Sequence, residues 1–95
     1  MYKVAVIHDD RYEGKDLSVV AEVQVDKTLS DESKLEEAFR LTNTIDHNWW
    51  ENKEVTAMFS NEGCRSTSVD DFVLIDTYWP FFTRWRCDDV GWTKI

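Results

Sequence analysis

The chain has 95 residues, of which 42% are apolar and 32% are charged, and its formal net charge is −8. This length provides one domain with a single core, and this composition excludes a disordered chain. The acidity disfavours general binding to nucleic-acid phosphates, and no apolar run is long enough for a membrane span. Residues 1–10 lack the features of a signal peptide, so we expect a cytoplasmic location.

The first part of the chain predicts a β-hairpin. Residues 2–7 are rich in β-branched side chains, and residues 17–25 alternate between two faces as a half-buried strand does. The polar segment between them contains Gly14 and is too short for a helical crossover. We therefore predict that the two strands pair in antiparallel fashion.

One α-helix is predicted from about residue 31 to residue 43. Side chains suited to a core recur there at i, i+3, i+4 and i+7, at Leu35, Ala38, Phe39 and Thr42. Ser30 or Asp31 can cap the start of this helix, and Ser33 with Glu36 offers a later start. Asn43 suits the C-terminal cap, because Asn tolerates the left-handed conformation.

The second half of the chain predicts four more strands, at residues 54–59, 69–76, 84–89 and 91–95. Residues 77–83 predict an aromatic-rich turn, in which Pro80 excludes a central strand. This order of elements favours an α+β domain: an antiparallel sheet of five to six strands with one helix packed on it. The order is also compatible with a sheet that curls toward a small barrel.

Residues 35–95 carry three short sequence patterns. Residues 39–55 fit F-x-L-T-N-x-I-D-x-x-W-x-x-N-x-x-V, residues 65–71 read R-S-T-S-V-D-D, and residues 91–95 fit G-W-x-x-I. Together they resemble a family of small proteins from bacteriophages, plasmids and other mobile elements. The resemblance implies an accessory protein that acts in a bacterial cell, and it implies no particular activity. Asp70 stands where the family pattern has Gly, a residue that suits a tight turn or a positive φ.

A polar loop holds two adjacent tryptophans, Trp49 and Trp50. Adjacent side chains of an extended segment point to opposite sides, so we predict that only one of them is fully buried. Trp49 is expected in the core, with its indole N–H bonded to a loop carbonyl, and Trp50 is a candidate contact for a partner. Asp46 and Asn52 are candidate binding residues, although organising the loop through backbone hydrogen bonds is the role that we favour for them.

Residues 65–71 offer hydroxyl and charged groups to a ligand. Arg65 could clamp an anion, with Ser66, Ser68 and Asp71 beside it. The alternative, which we favour, is that the serines cap turns while Asp71 holds backbone amides where a strand begins. The segment has no phosphate-loop pattern and no nucleophile elbow, and we assign no catalytic residue.

Residues 78–86 interleave aromatic side chains with Arg84 and Arg86. This arrangement could stack single-stranded bases. It equally fits a hairpin in which the two arginines face outward and Trp85 and Cys87 lie on the other side. The nearby acidic residues at 88 and 89 weaken the nucleic-acid hypothesis.

No metal site or cofactor is predicted. His8, Asp9 and Asp10 are consecutive, and consecutive side chains rarely converge on one ion. Cys64 and Cys87 lack metal-binding spacing and are expected to remain reduced thiols in a cytosol.

The leading functional hypothesis is a non-enzymatic accessory protein that binds a host protein and modulates host defence or replication. The alternative is a small nucleic-acid or nucleotide-binding, barrel-like module, which the acidity disfavours. An enzyme is disfavoured because no catalytic motif is present. Five Trp, five Phe and three Tyr are many for one small core, so a homodimer is a further hypothesis.

Overall fold

A computed structural model describes residues 2–59, 63–78 and 81–95, and it describes residues 76–78 and 81–82 by their backbone alone. The elements in chain order are β1 (Tyr2–Asp9), β2 (Leu17–Val25), α1 (Asp31–Leu41), β3 (Val55–Ala57), β4 (Phe72–Tyr78), β5 (Phe81–Asp88) and β6 (Gly91–Lys94). In these ranges the strands form one antiparallel sheet in the order β3-β2-β1-β4-β5-β6. The predicted α+β class is confirmed. The sheet is open, with β3 and β6 at its edges, and is not closed into a barrel.

The register of the central strand assigns each side chain to one of two sheet faces. Val4 lies opposite Val23 on β2 and opposite Ile75 on β4. All three side chains are buried. Since side chains alternate along a strand, Ala5 and Ile7 lie on the opposite face. The core therefore lies on the face that includes Val4.

Helix α1 covers the core face of the sheet. Leu35, Ala38 and Leu41 are buried against it, and Ser30 caps the helix by accepting a hydrogen bond of 3.2 Å from the backbone N–H of Ser33. The helix ends two residues earlier than predicted. Thr42 occupies the C-terminal cap in place of Asn43, and its hydroxyl donates to the carbonyl of Ala38 at 2.8 Å.

The strands of the second half differ from the predicted ranges mainly at their ends. Strand β4 continues to Tyr78 and β5 begins at Phe81, so both enter the segment predicted as an aromatic turn. Pro80 lies outside the described residues. Strand β3 has only three residues and forms one edge of the sheet. Within the described ranges, no helix has the length and apolar composition needed to cross a membrane.

Candidate functional site

The two tryptophans of the polar loop have different environments. Trp49 is only 2% exposed, and its indole N–H is shared between the carbonyls of Cys64 and Arg65, at 3.2 Å each. The prediction that Trp49 enters the core is confirmed. Trp50 is half-buried and meets both Trp49 and Phe59 edge-on, with ring centroids 5.5 Å apart in each pair. Packing on two sides therefore accounts for much of the Trp50 surface.

Asn52 organises the same loop. Its side-chain amide donates to the carbonyl of Leu41 and to the hydroxyl of Thr44, both at 2.8 Å, while its oxygen accepts from His47 Nε2 at 2.7 Å. This last bond is the main reason that the pKa of His47 is raised, with a further contribution from the carboxylate of Asp46. Asp46 itself is exposed and lies 3.1 Å from His47 Nδ1. The expected loop-organising role therefore fits Asn52, whereas Asp46 is a surface group.

A shallow depression brings together four of the candidate binding residues. Asp46 and Trp50 line it on the loop side, and Arg65 and Ser66 line it on the other, around a volume of about 420 Å³. The half-buried Cys64 also contributes to its wall. The depression is thus built where the tryptophan loop meets the segment that precedes β4.

Asp71 is the centre of a buried polar cluster. It is 1% exposed and accepts four hydrogen bonds, two of them from the guanidinium of Arg65, at 2.7 and 2.8 Å. The other two come from the backbone N–H groups of Asp9 and Ser68, at 2.8 Å each. The expectation that Asp71 holds backbone amides at the start of a strand is confirmed, and the strand is β4.

Arg65 has a partner for every guanidinium nitrogen. Besides Asp71, Nε and Nη2 donate to Asp10 Oδ1 at 3.0 and 2.8 Å, and Nη1 donates to the carbonyl of Ser66 at 3.0 Å. The hydrogen bonds to Asp71 are the main cause of the raised pKa of Arg65. Burial alone would raise the pKa of Asp71, but the hydrogen bonds that it accepts outweigh burial and lower this pKa. The pair therefore stays charged and is engaged within the protein.

His8 is fully buried beside this pair. Its Nε2 lies 3.0 Å from Thr67 Oγ1, in a hydrogen bond, and its Nδ1 lies 3.6 Å from Cys64 Sγ. Burial lowers the pKa of His8 and raises the pKa of the Cys64 thiol. Both shifts favour the neutral forms, whereas a cysteine nucleophile requires the thiolate. The contact therefore fits a thiol that donates a weak hydrogen bond to the imidazole.

The run of His8, Asp9 and Asp10 does not converge on one point. His8 points into the core, while Asp9 accepts from Arg11 at 2.8 Å and Asp10 accepts from Arg65. Among the described residues, no group of three or more His, Cys, Asp or Glu side chains is placed to share a metal ion. Cys64 and Cys87 are free thiols.

The sheet face opposite α1 is the second candidate site. No helix or strand of the described chain covers it, and we call it the open face. Its apolar side chains come from β1, β2, β4 and the end of the chain: Ala5, Ile7, Leu17, Val19, Phe72, Leu74 and Ile95. Leu17, Val19 and Ile95 are between 43% and 48% exposed. Most of these side chains, together with Arg11 and Arg84, surround a depression of about 470 Å³.

Both arginines of β5 point to the open face. Arg84 lies opposite Leu74 on β4, and Arg86 lies opposite Phe72. Trp85 packs on the core and Cys87 is buried, so the predicted outward direction of the arginines is confirmed. Arg86 Nε donates to Asp88 at 3.0 Å. Arg84 is exposed and forms no ion pair with any side chain that the structure describes.

A third depression joins the two candidate sites. Arg86, Arg65 and Ser68 line it together with Phe72, around about 530 Å³. The candidate residues therefore fall into two connected regions, the loop with the Asp71 cluster and the open face with its arginines. In the described part of the chain, Trp50 and Arg84 line two different depressions.

Sequence reasoning missed three participants of the core. His8 lies on the same face of β1 as the buried Val4 and Val6. A predicted strand that continued beyond residue 7 would therefore have placed the His8 side chain in the core. Thr67 is buried against His8, and no local signal indicates that contact. Lys34 is only 8% exposed, with Nζ 4.6 Å from the centre of the Tyr2 ring, a cation–π contact.

Fold and site together define a two-layer α+β domain in which one sheet face is covered by a helix and the other is open. Comparison with models of protein families, with curated proteins and with solved structures found no match to this chain. The resemblance to mobile-element proteins therefore stays a prediction that rests on the sequence patterns.

Proposed function

We propose that this chain is a non-enzymatic binding protein, an accessory factor of a phage or other mobile element that binds a protein in the cytoplasm of a bacterial host. The observation that carries this proposal is the open face. The exposed Leu17 and the half-buried Phe72 and Leu74 line one apolar depression there, on the side of the sheet away from α1. Contiguous exposed apolar surface on a small protein marks a binding site.

The internal hydrogen bonding and burial of Asp71, Arg65 and His8 support a binding protein rather than an enzyme. Asp71 and Arg65 use their hydrogen-bonding groups on each other and on the backbone, and His8 is buried away from any substrate. A general acid or base must reach the proton that it transfers. The groups that resemble catalytic residues by type therefore serve the fold.

A second candidate function, binding of single-stranded nucleic acid, is favoured by one observation. Phe72 lies opposite Arg86 on the open face, and an aromatic ring beside a guanidinium is a common platform for a nucleic-acid base. The net charge of −8 opposes this function, because phosphate binding depends on a surplus of positive charge. We rank it below protein binding.

Affinity capture from a bacterial host, with and without nuclease treatment, tests the proposal. Leu74→Lys places a charge on the open face, and Val90→Lys is its matched control, because Val90 is 98% exposed in the turn between β5 and β6. We expect a defined host protein that survives nuclease, is lost with Leu74→Lys and is retained with Val90→Lys. Capture that disappears with nuclease supports nucleic-acid binding, and retention by both variants contradicts a site on the open face.

A further inference from the structure

We infer that a second copy of this chain covers the open face, in a weak two-fold dimer that the host protein must displace. The dimer follows from the open face alone, and the competition with a host protein rests on the proposed function. The two copies pack face to face, with Glu22 of each copy against Arg84 of the other.

One row of side chains crosses the open face from an acid to a base. Glu22 on β2 lies opposite Ala5 on β1, and Arg84 on β5 lies opposite Leu74 on β4. Ala5 and Leu74 are themselves paired, so the four side chains form one row. Glu22 and Arg84 stand roughly 14 Å apart across the sheet, too far for a direct ion pair. Neither forms an ion pair with any side chain that the structure describes.

A two-fold axis parallel to the strands, between β1 and β4, makes this row complementary to itself. The axis exchanges β2 with β5 and β1 with β4, so Glu22 of one copy faces Arg84 of the other, twice in the dimer. In the next row, Ile7 of one copy likewise faces Phe72 of the other. An axis perpendicular to the strands would instead place Glu22 against Glu22. The charges therefore select one orientation of the second copy.

The charged side chains of the open face are mixed in sign. Apart from the Asp71 cluster, the described ones on the open face or beside it are four cations, Lys3, Arg11, Arg84 and Arg86, and five anions, Asp9, Glu22, Glu54, Asp70 and Asp88. In the dimer Asp9 lies across from Asp70 of the other copy, and Arg11, which lines one depression with both residues, offsets their repulsion. The net charge of −8 repels two copies at long range, but physiological salt screens charges beyond about 8 Å.

The size of the open face fits a weak dimer. Its four central strands form a surface roughly 19 Å wide and 25 Å long. Two such surfaces bury a total of roughly 1,000 Å², which is the size of a weak, transient interface. Two sheets packed face to face lie about 10 Å apart, a gap that side chains such as Ile7, Phe72 and Leu74 fill. A host protein that also contacts the surroundings of the open face covers more surface and displaces the second copy.

Charge reversal tests the dimer by analytical ultracentrifugation over a series of protein concentrations. Glu22→Arg and Arg84→Glu each create two like-charge contacts, and each should weaken self-association at least about tenfold. An equimolar mixture of these two variants should form a heterodimer about as tightly as the unchanged chain self-associates, because every contact again joins opposite charges. Glu32→Arg and Arg40→Glu, at exposed positions of α1, make the same changes in net charge and should alter self-association less than about twofold.

Three results overturn the dimer: an unchanged chain that stays monomeric at every concentration, single reversals that associate as the unchanged chain does, or a mixture that forms no heterodimer although circular dichroism shows both variants folded. A host protein obtained by affinity capture should convert the dimer to a one-to-one complex, and a complex that retains the dimer overturns the competition. A monomeric chain leaves capture of a host protein unaffected, and a failed capture leaves the dimer unaffected. Failure of the inference and failure of the proposed function are therefore distinguishable.

Discussion

The guanidinium of Arg65 meets the carboxylate of Asp71 through two parallel hydrogen bonds, 2.7 Å from Nη1 to Oδ2 and 2.8 Å from Nη2 to Oδ1. Arg65 also donates a hydrogen bond to Asp10, which follows the last residue of β1. Asp71 accepts a hydrogen bond from the backbone N–H of Asp9, the last residue of β1. One ion pair therefore ties the segment before β4 to the end of β1. This arrangement gives a structural role to Arg65 and Asp71, the first and last residues of the R-S-T-S-V-D-D segment.

Asp71→Asn should lower the free energy of unfolding by about 3 kcal/mol. The amide keeps the shape of the carboxylate but removes its charge, and it offers a donor where an acceptor is needed. Asp88→Asn is the matched control, since the Arg86–Asp88 pair is partly exposed, with side chains 41% and 28% exposed, and contributes less than a buried pair. Urea unfolding measures both variants. Equal effects of the two substitutions would contradict a central role of Asp71.

The two histidines should titrate on opposite sides of pH 6.5. Burial lowers the pKa of His8, and the hydrogen bond to Asn52 raises the pKa of His47. Below pH 6.5 the unfolded chain binds a proton at position 8 that the folded chain does not, so His8 costs stability as the pH falls. His47 contributes stability below pH 6.5 that is lost as the pH rises through its folded pKa. An NMR titration of the imidazole signals tests this order, which is refuted if His8 becomes protonated at the higher pH.

Asp70 adopts a φ of 77°, a left-handed conformation that is unfavourable for most residues other than glycine. Asp70→Gly should therefore raise the free energy of unfolding, by up to about 1 kcal/mol. Asp70→Ala should lower it, because Ala loses the local hydrogen bonding that helps Asp to adopt this conformation. Thermal and urea unfolding of the two variants provide the comparison. A Gly variant less stable than the original chain would contradict the view that the conformation of Asp70 is strained.

Both thiols should be poor nucleophiles in the folded protein. Burial raises the pKa of Cys87 to about 11 and also raises the pKa of Cys64. Since only the thiolate reacts with iodoacetamide, alkylation at neutral pH should be much slower than in the urea-unfolded chain. Mass spectrometry resolves the two sites. A folded-state rate at Cys64 equal to the unfolded rate would contradict this prediction, and a faster rate would indicate an activated thiol.

Local patterns were sufficient to predict much of the fold. Alternation in residues 17–25 and the apolar stripe of the helix are properties of neighbouring residues, and both elements lie where the patterns indicate. The predicted alternation fails at one point, because a bulge in β2 buries Val20 beside Ala21 and leaves Val19 exposed on the opposite face. Helix α1 nevertheless ends at Leu41, because the hydroxyl of Thr42 caps it and Asn43 instead donates to Thr67. That contact joins residues 24 positions apart, which no local pattern reports.

The candidate site was less predictable, for two physical reasons. His8 and Thr67 are 59 positions apart, and Asp10 and Arg65 are 55 apart, so their contacts follow from the path of the folded chain. In β4, the side chains of both faces are apolar, with Phe72 alternating with the buried Val73. Only the position of α1 decides which face is covered. The open face therefore could not be recognised from the sequence alone.

Photo-crosslinking in a bacterial host is the most direct test of the open face as a protein-binding surface. A photoreactive amino acid replaces Leu74 in one variant and Val90 in the other, and the samples are treated with nuclease after irradiation. A binding surface on the open face predicts a crosslink to one defined host protein from position 74 and none from position 90. Crosslinks of equal yield from both positions, or a product from position 74 that contains only nucleic acid, would contradict it.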